Sequence, residues 1–130
     1  MDIMKRLSKA KTALVLEHPF FGAIALGMPS VIDDTIPTAC TNGKLIRYNP
    51  DFVDGLTDGN IVFLMAHECF HPMLGHRWRL SGRDHKLWNV AGDIIINQML
   101  VDDGIGDFIE GGLLNKKMFE EGGGTTDGVY

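Results

Sequence analysis

His67-Glu68-Cys69-Phe70-His71 combines residue types and a spacing that can do chemistry. It reads H-E-x-x-H, the pattern by which a helix of a zinc hydrolase holds its ion. Residues four apart stack on one face of a helix, so the imidazoles of His67 and His71 can grip a single metal. Glu68, beside the first histidine, is then placed as general base, taking a proton from water that the ion activates. The plainer alternative is two core histidines, each satisfied by a hydrogen bond, with Glu68 paired to an arginine such as Arg77 or Arg79. Without such an ion pair, two core histidines leave the carboxylate between them without a task.

A zinc hydrolase usually supplies three protein ligands and leaves the fourth position to water. Asp93 is the first candidate for the third ligand. It belongs to a polar stripe, Asn89, Asp93 and Asn97, that runs along an otherwise apolar segment. A carboxylate in such surroundings needs a partner, because an isolated buried charge is very costly. A metal ion is one partner; a hydrogen-bond ladder with Asn89 and Asn97 that fixes helix packing is the other reading. His76 is the rival ligand. In an unbroken helix it points well away from His71, since five residues turn about 500° at about 100° each, so only a break at Gly75 brings it back. The metzincin spacing H-E-x-x-H-x-x-G-x-x-H is not met, with Gly75 one residue late and His76 one residue early. His76 has a further possible role, steadying an oxyanion or orienting a ligand. His18 and His85 belong to no ligand pattern, and Cys69 is expected in the core.

These residues need elements to position them. Ile3, Leu7, Ala10, Ala13 and Leu14 have helical spacing over residues 2–17, and a second short helix is expected from Phe20 to Leu26 after Pro19. Val31-Ile32 suits a short strand. Thr38 to Thr41 and Lys44 to Tyr48, separated by Asn42-Gly43, predict a β-hairpin whose two turn residues both adopt positive φ. Asn49-Pro50 ends that strand and a loop follows. Thr57 or Asp58 can cap the helix that carries His67 and His71, whose apolar residues Ile61 to Met65 require burial. Pro72 is expected to kink that helix and Gly75 to stop it. Asp84 can cap a second helix from about His85 to Val101, apolar except for its stripe.

With 130 residues, the chain suits one small domain with a single core, over residues 1–115, followed by a flexible glycine-rich tail over residues 116–130. A net charge of −5 without a basic run argues against nucleic-acid binding. Ala13 to Met28 is interrupted by Glu17, His18 and Pro19, so it is no membrane span. Two cysteines, Cys40 and Cys69, and no secretory leader are expectations of a cytoplasmic protein with free thiols.

Taken together, the run from His67 to Arg79, then Arg83-Asp84, then Leu87 to Asn97, with Thr38 to Gly43 and Tyr48-Asn49-Pro50 upstream, resembles the family of putative metallopeptidase domains often found upstream of a von Willebrand factor A-like domain in bacteria, and also in phages. The resemblance spans about residues 18 to 115. It implies an α+β fold, a minimal zincin-like domain with N-terminal helices, a small hairpin or sheet, the H-E-x-x-H helix and a second buried helix. By position it implies His67, His71 and Asp93 as Zn2+ ligands, with Glu68 as catalytic base. Pro72 departs from the apolar residue expected at that point in the helix.

The leading expectation is therefore a zinc-dependent metallopeptidase acting on a peptide or protein substrate, with neither nucleic acid nor membrane as partner. The strand from Lys44 to Tyr48 is the expected edge for an extended peptide, with Arg77, Arg79 or His76 steadying the oxyanion. The alternative is a catalytically inactive, metal-stabilised binding or regulatory module, in which Asp93 and His76 both ligate and close the site. Oligomeric state is not legible in the sequence.

Overall fold

Asp2 starts the first helix by accepting a hydrogen bond from Met4 N at 2.9 Å in a computed structural model that describes residues 2–73 and 85–109, with the backbone alone for residues 72–73 and 85–91. Helix α1 (Ile3–Glu17) buries Leu7, Ala10 and Leu14, the stripe expected from their spacing. His18 closes it, its backbone N–H bonding Leu14 O, and Pro19 opens α2 (Pro19–Leu26). Pro suits this first helical position, where its missing N–H has no partner to lose. The two helices approach closely at Gly22, where a Cβ would collide with the backbone of Val15.

Three short strands follow: β1 (Ser30–Ile32), β2 (Ala39–Thr41) and β3 (Ile46–Tyr48). The sheet order is β1-β3-β2, with β3 parallel to β1 and antiparallel to β2. Ile46 and Tyr48 point into the core, while Arg47 points out and pairs with Asp33 at 3.3 Å. The hairpin exists, but not with the tight turn expected from Asn42-Gly43. Only Gly43 has positive φ, at 89°. The Asn42 carboxamide instead accepts from Lys44 N and Leu45 N at 2.8 and 3.1 Å, an Asx turn that lengthens the loop. The expectation that the Lys44 to Tyr48 strand offers an edge is also corrected, because β3 lies between the other two strands.

Where a loop was expected, Pro50–Asp54 forms a short helix, α3, capped by Asn49 Oδ1 accepting from Phe52 N at 3.0 Å. The signal was present in the sequence: an Asn cap followed by Pro at the first helical position. Helix α4 (Asp58–Met73) starts with a reciprocal cap. Thr57 Oγ1 accepts from Asn60 N at 3.1 Å, and Asn60 Oδ1 accepts from Thr57 N at 3.2 Å. Asp58, in the first turn, suits the positive end of the helix dipole and pairs with Arg6 and Lys9 of α1 at 3.2 and 3.0 Å. Arg6 also donates to Leu56 O at 2.6 Å, which ties the start of α1 to the entry of α4. The helix runs to Met73, so Pro72 does not end it. Gly75 lies outside the described residues.

Helix α5 (His85–Asp102) packs against α4 and runs one residue past its expected end. Gly104 ends it with φ 69°, Gly104 N bonding Val101 O and Ile105 N bonding Leu100 O at 3.1 and 3.0 Å. This is a Schellman cap, in which a left-handed glycine satisfies the last carbonyls. The chain then turns back over the start of α4. Asp107 N bonds Gly59 O at 3.0 Å, Asn60 Nδ2 donates to Asp107 O at 3.0 Å, and Phe108 meets Phe63 edge-on. The core joins α1, α2 and the sheet to α4 and α5, through Leu14, Phe21, Tyr48, Met65, Phe70, Ile96 and Leu100 among others. The helices, strands and single core make an α+β fold. No helix among the described residues is long and apolar enough to cross a membrane. The expected tail over residues 116–130 lies outside them.

Candidate metal centre

The buried faces of α4 and α5 carry the site. Ile61, Phe63, Met65, Ala66 and Cys69 surround α4 with apolar contacts, so its histidines are held on a helix that cannot rotate without unpacking the core. His67 and His71, one turn apart, meet with ring centroids 4.7 Å apart. Opposite them, Asp93 projects from α5 between Gly92 and Ile94, both buried. His67 Nε2 lies 3.0 Å from His71 Nε2, and Asp93 Oδ1 lies 3.1 Å from each. Three donor atoms thus form a nearly equilateral triangle.

That triangle fits a metal ion. Ligand atoms held about 2.0–2.1 Å from a tetrahedral zinc lie about 3.3 Å from one another, close to the separations seen. Two imidazoles and a carboxylate are also a borderline-hard donor set suited to zinc. Among the described residues, His67, His71 and Asp93 are the group that could hold an ion. Asn89 shares α5 with Asp93, but its side chain lies outside the described residues. His76, Arg77 and Arg79 lie outside them entirely.

His67 has a second partner. Its Nδ1 is 2.7 Å from Oδ1 of Asn97, a residue 5% exposed and one turn after Asp93 on α5. The sequence displayed Asn97 in the polar stripe, yet the spacing alone reads equally well as a packing ladder. The structure directs two residues of that stripe, Asp93 and Asn97, at the histidines.

Electrostatics follow from this crowding. Burial works to raise the pKa of Asp93, but hydrogen bonds to His67 and His71 and their charges hold its carboxyl well below the ordinary range. Burial works to lower that of His67; the hydrogen bond to Asp93, the charges of Glu68 and Asp93, and Asn97 outweigh it and raise it. Glu68 is 7% exposed, and burial raises its pKa against the opposing pull of His67 and His71. Cys69, fully buried as expected, has its thiol pushed up to about 12 by burial and then by Glu68, so it is an unreactive core residue. Tyr48, also fully buried, is held neutral by burial, with Glu68 adding to the effect. A cavity of about 440 Å³ lies apart from this centre, lined by Glu17, His18, Pro19, Phe20, Phe21, Asp103 and Ile105.

Comparison with known proteins agrees with this picture. The family described as Putative metallopeptidase domain matches residues 3–118. An uncharacterized protein of Thermotoga maritima is 28% identical over 102 residues, a match that takes in 72% of this chain and 25% of that protein. The chain therefore spans about a quarter of that relative's length. No solved structure matches.

Proposed function

Because the chain belongs to the family described as Putative metallopeptidase domain, we propose that it is a zinc-dependent peptide hydrolase with Glu68 as general base. The observation that carries this reading is the triangle of His67 Nε2, His71 Nε2 and Asp93 Oδ1 beside a buried glutamate. Three protein donors leave one position of a tetrahedral ion open to water or substrate, which separates catalytic from structural zinc. Bound there, zinc would activate water and polarise a scissile carbonyl.

The chain's own residues would do the rest. His67 and His71 hold their positions through a packed helix, and Asp93 balances the charge of the site. Glu68 follows His67 in sequence, and its environment raises its proton affinity, which suits a group that accepts a proton and then passes it to a leaving amine. An extended peptide has a place to pair. Asn49 N bonds Thr38 O across the hairpin. Alternation along an antiparallel ladder then directs the polar backbone groups of Ala39 and Thr41 away from β3. Among the described residues that outer edge of β2 has no strand partner, and strand addition would occupy it.

The test is Glu68→Gln in zinc-loaded protein against a peptide library. Zinc should remain bound while hydrolysis falls about 10²–10⁴-fold, the usual contribution of a general base. Hydrolysis unchanged with zinc still bound removes Glu68 from that role. Zinc binding by a wild type that cleaves nothing favours a metal-stabilised binding module instead.

A further inference from the structure

Asp93 and Asn97 lie one turn apart on α5 and reach the two nitrogens of the same ring, Asp93 at Nε2 and Asn97 at Nδ1 of His67. We infer that Asn97 is a positioning residue for the metal centre: its side-chain oxygen takes the Nδ1 proton of His67 and so turns an unprotonated Nε2 toward His71 and Asp93. The inference rests on the metal-binding reading above.

A neutral imidazole carries one N–H, and the hydrogen bond made by one nitrogen decides which. A 2.7 Å contact between Nδ1 and Oδ1 holds one proton, and a carboxamide oxygen has none to give. The proton therefore sits on Nδ1, and Nε2 presents a lone pair. Two further acceptor-capable atoms stand 3.0 and 3.1 Å from that lone pair. An ion at that point would be met by this lone pair, by Asp93 Oδ1 and by His71 Nε2. Were the carboxamide reversed, its N–H would seek a lone pair on Nδ1, and the ring proton would move to Nε2, where the cation must sit.

The residue type is as informative as its position. Leucine has similar size and no acceptor. Aspartate would accept the same proton but would add another carboxylate near Asp93 and buried Glu68, in surroundings where each charge must be matched. Asparagine supplies the acceptor without the charge. At 5% exposure, water has little access to take its place.

The test is zinc titration of the full chain as wild type, His67→Ala, Asn97→Leu and Asn97→Asp, with the His67 tautomer read by long-range nitrogen–proton NMR on the wild type. Asn97→Leu should weaken zinc binding about 10–100-fold, the usual effect of losing such an outer partner. Asn97→Asp should recover most of that loss, which a purely space-filling role would not allow. With zinc bound, the wild-type ring should carry its proton on Nδ1 and offer Nε2 to the ion. A folded Asn97→Leu protein that binds zinc like the wild type overturns the inference alone, and so does a zinc-bound ring that coordinates through Nδ1 with its proton on Nε2. The tautomer decides the matter even where Asn97→Leu does not fold. A wild type that fails to bind zinc at all overturns the metal-binding reading itself.

Discussion

His67 and Asn97 are joined across two helices by a 2.7 Å contact, Nδ1 to Oδ1, while the other nitrogen of the same ring faces Asp93 at 3.1 Å. One face of α5 thus supplies both an ionised donor and a neutral orienting group. The arrangement depends on the relative setting of α4 and α5, because a slide of one turn, about 5.4 Å, would separate all three.

Removing any one of the three donors should remove the metal. His67→Ala, His71→Ala and Asp93→Ala should each purify without zinc by elemental analysis, while His76→Ala keeps it. Loss of zinc from His76→Ala as well would mean a closed, four-ligand structural site.

Zinc affinity should fall as pH falls. Protons and metal compete for the same imidazole nitrogens. Without metal, the surroundings of His67 raise its pKa above the ordinary 6.5. Protonation therefore begins to compete at higher pH than for an unperturbed histidine. Zinc titrations stepped downward from pH 8 should show weakening that sets in before pH 6.5; affinity flat across that range would contradict the assignment of His67 as ligand.

Two glycines near the end of α5 should differ in what they tolerate. Both have positive φ, 69° at Gly104 and 61° at Gly106. A Cβ on Gly104 meets open space, so Gly104→Ala should cost only the backbone term, about 1–2 kcal/mol. A Cβ on Gly106 would lie 2.6 Å from Phe63 N and 2.7 Å from Gly59 O, both backbone atoms of α4. Gly106→Ala should therefore destabilise more than Gly104→Ala in urea unfolding, and should weaken zinc binding by disturbing the seat of the returning chain on α4. Equal losses in the two variants would mean that this contact does not hold the helices in place.

The two thiols should react on separate timescales. Cys40 is exposed on β2, whereas Cys69 is fully buried with its thiol pKa pushed up to about 12. A thiol reagent at pH 8 should label one cysteine promptly and the second only on unfolding. Prompt labelling of both would show that α4 opens readily on its Cys69 face.

Much of the fold was legible in the sequence because local rules decide it. Helical spacing of Leu7, Ala10 and Leu14, the Pro19 break, the Thr57 cap and the apolar run into His67 each depend on neighbours a few residues away. The pairing of His67 with His71 is local in the same sense, since helix geometry alone puts residues four apart on one face. The Asn42-Gly43 turn misled because the preference for a tight hairpin competes with the Asx turn made by the Asn42 carboxamide. α3 was overlooked although Asn49-Pro50 carries both of its start signals.

What lies between elements had no local signal. Sequence order put β3 at the end of a hairpin, but parallel pairing with β1 made it the central strand and left β2 at the edge. Asp93 stood out as the first candidate for a third ligand, with a packing ladder as the rival reading, while Asn97 showed only as a polar residue of the same stripe. Their meeting with His67 and His71 required α5 to lie against α4 in one register, fixed by burial of Ile96 and Leu100 and by the chain returning onto Gly59 and Asn60. The sequence by itself determined which chemistry the chain could host, because residue types and helical period are local properties. The tertiary structure decided which nitrogen faces which oxygen, because packing between distant segments alone sets distances across helices.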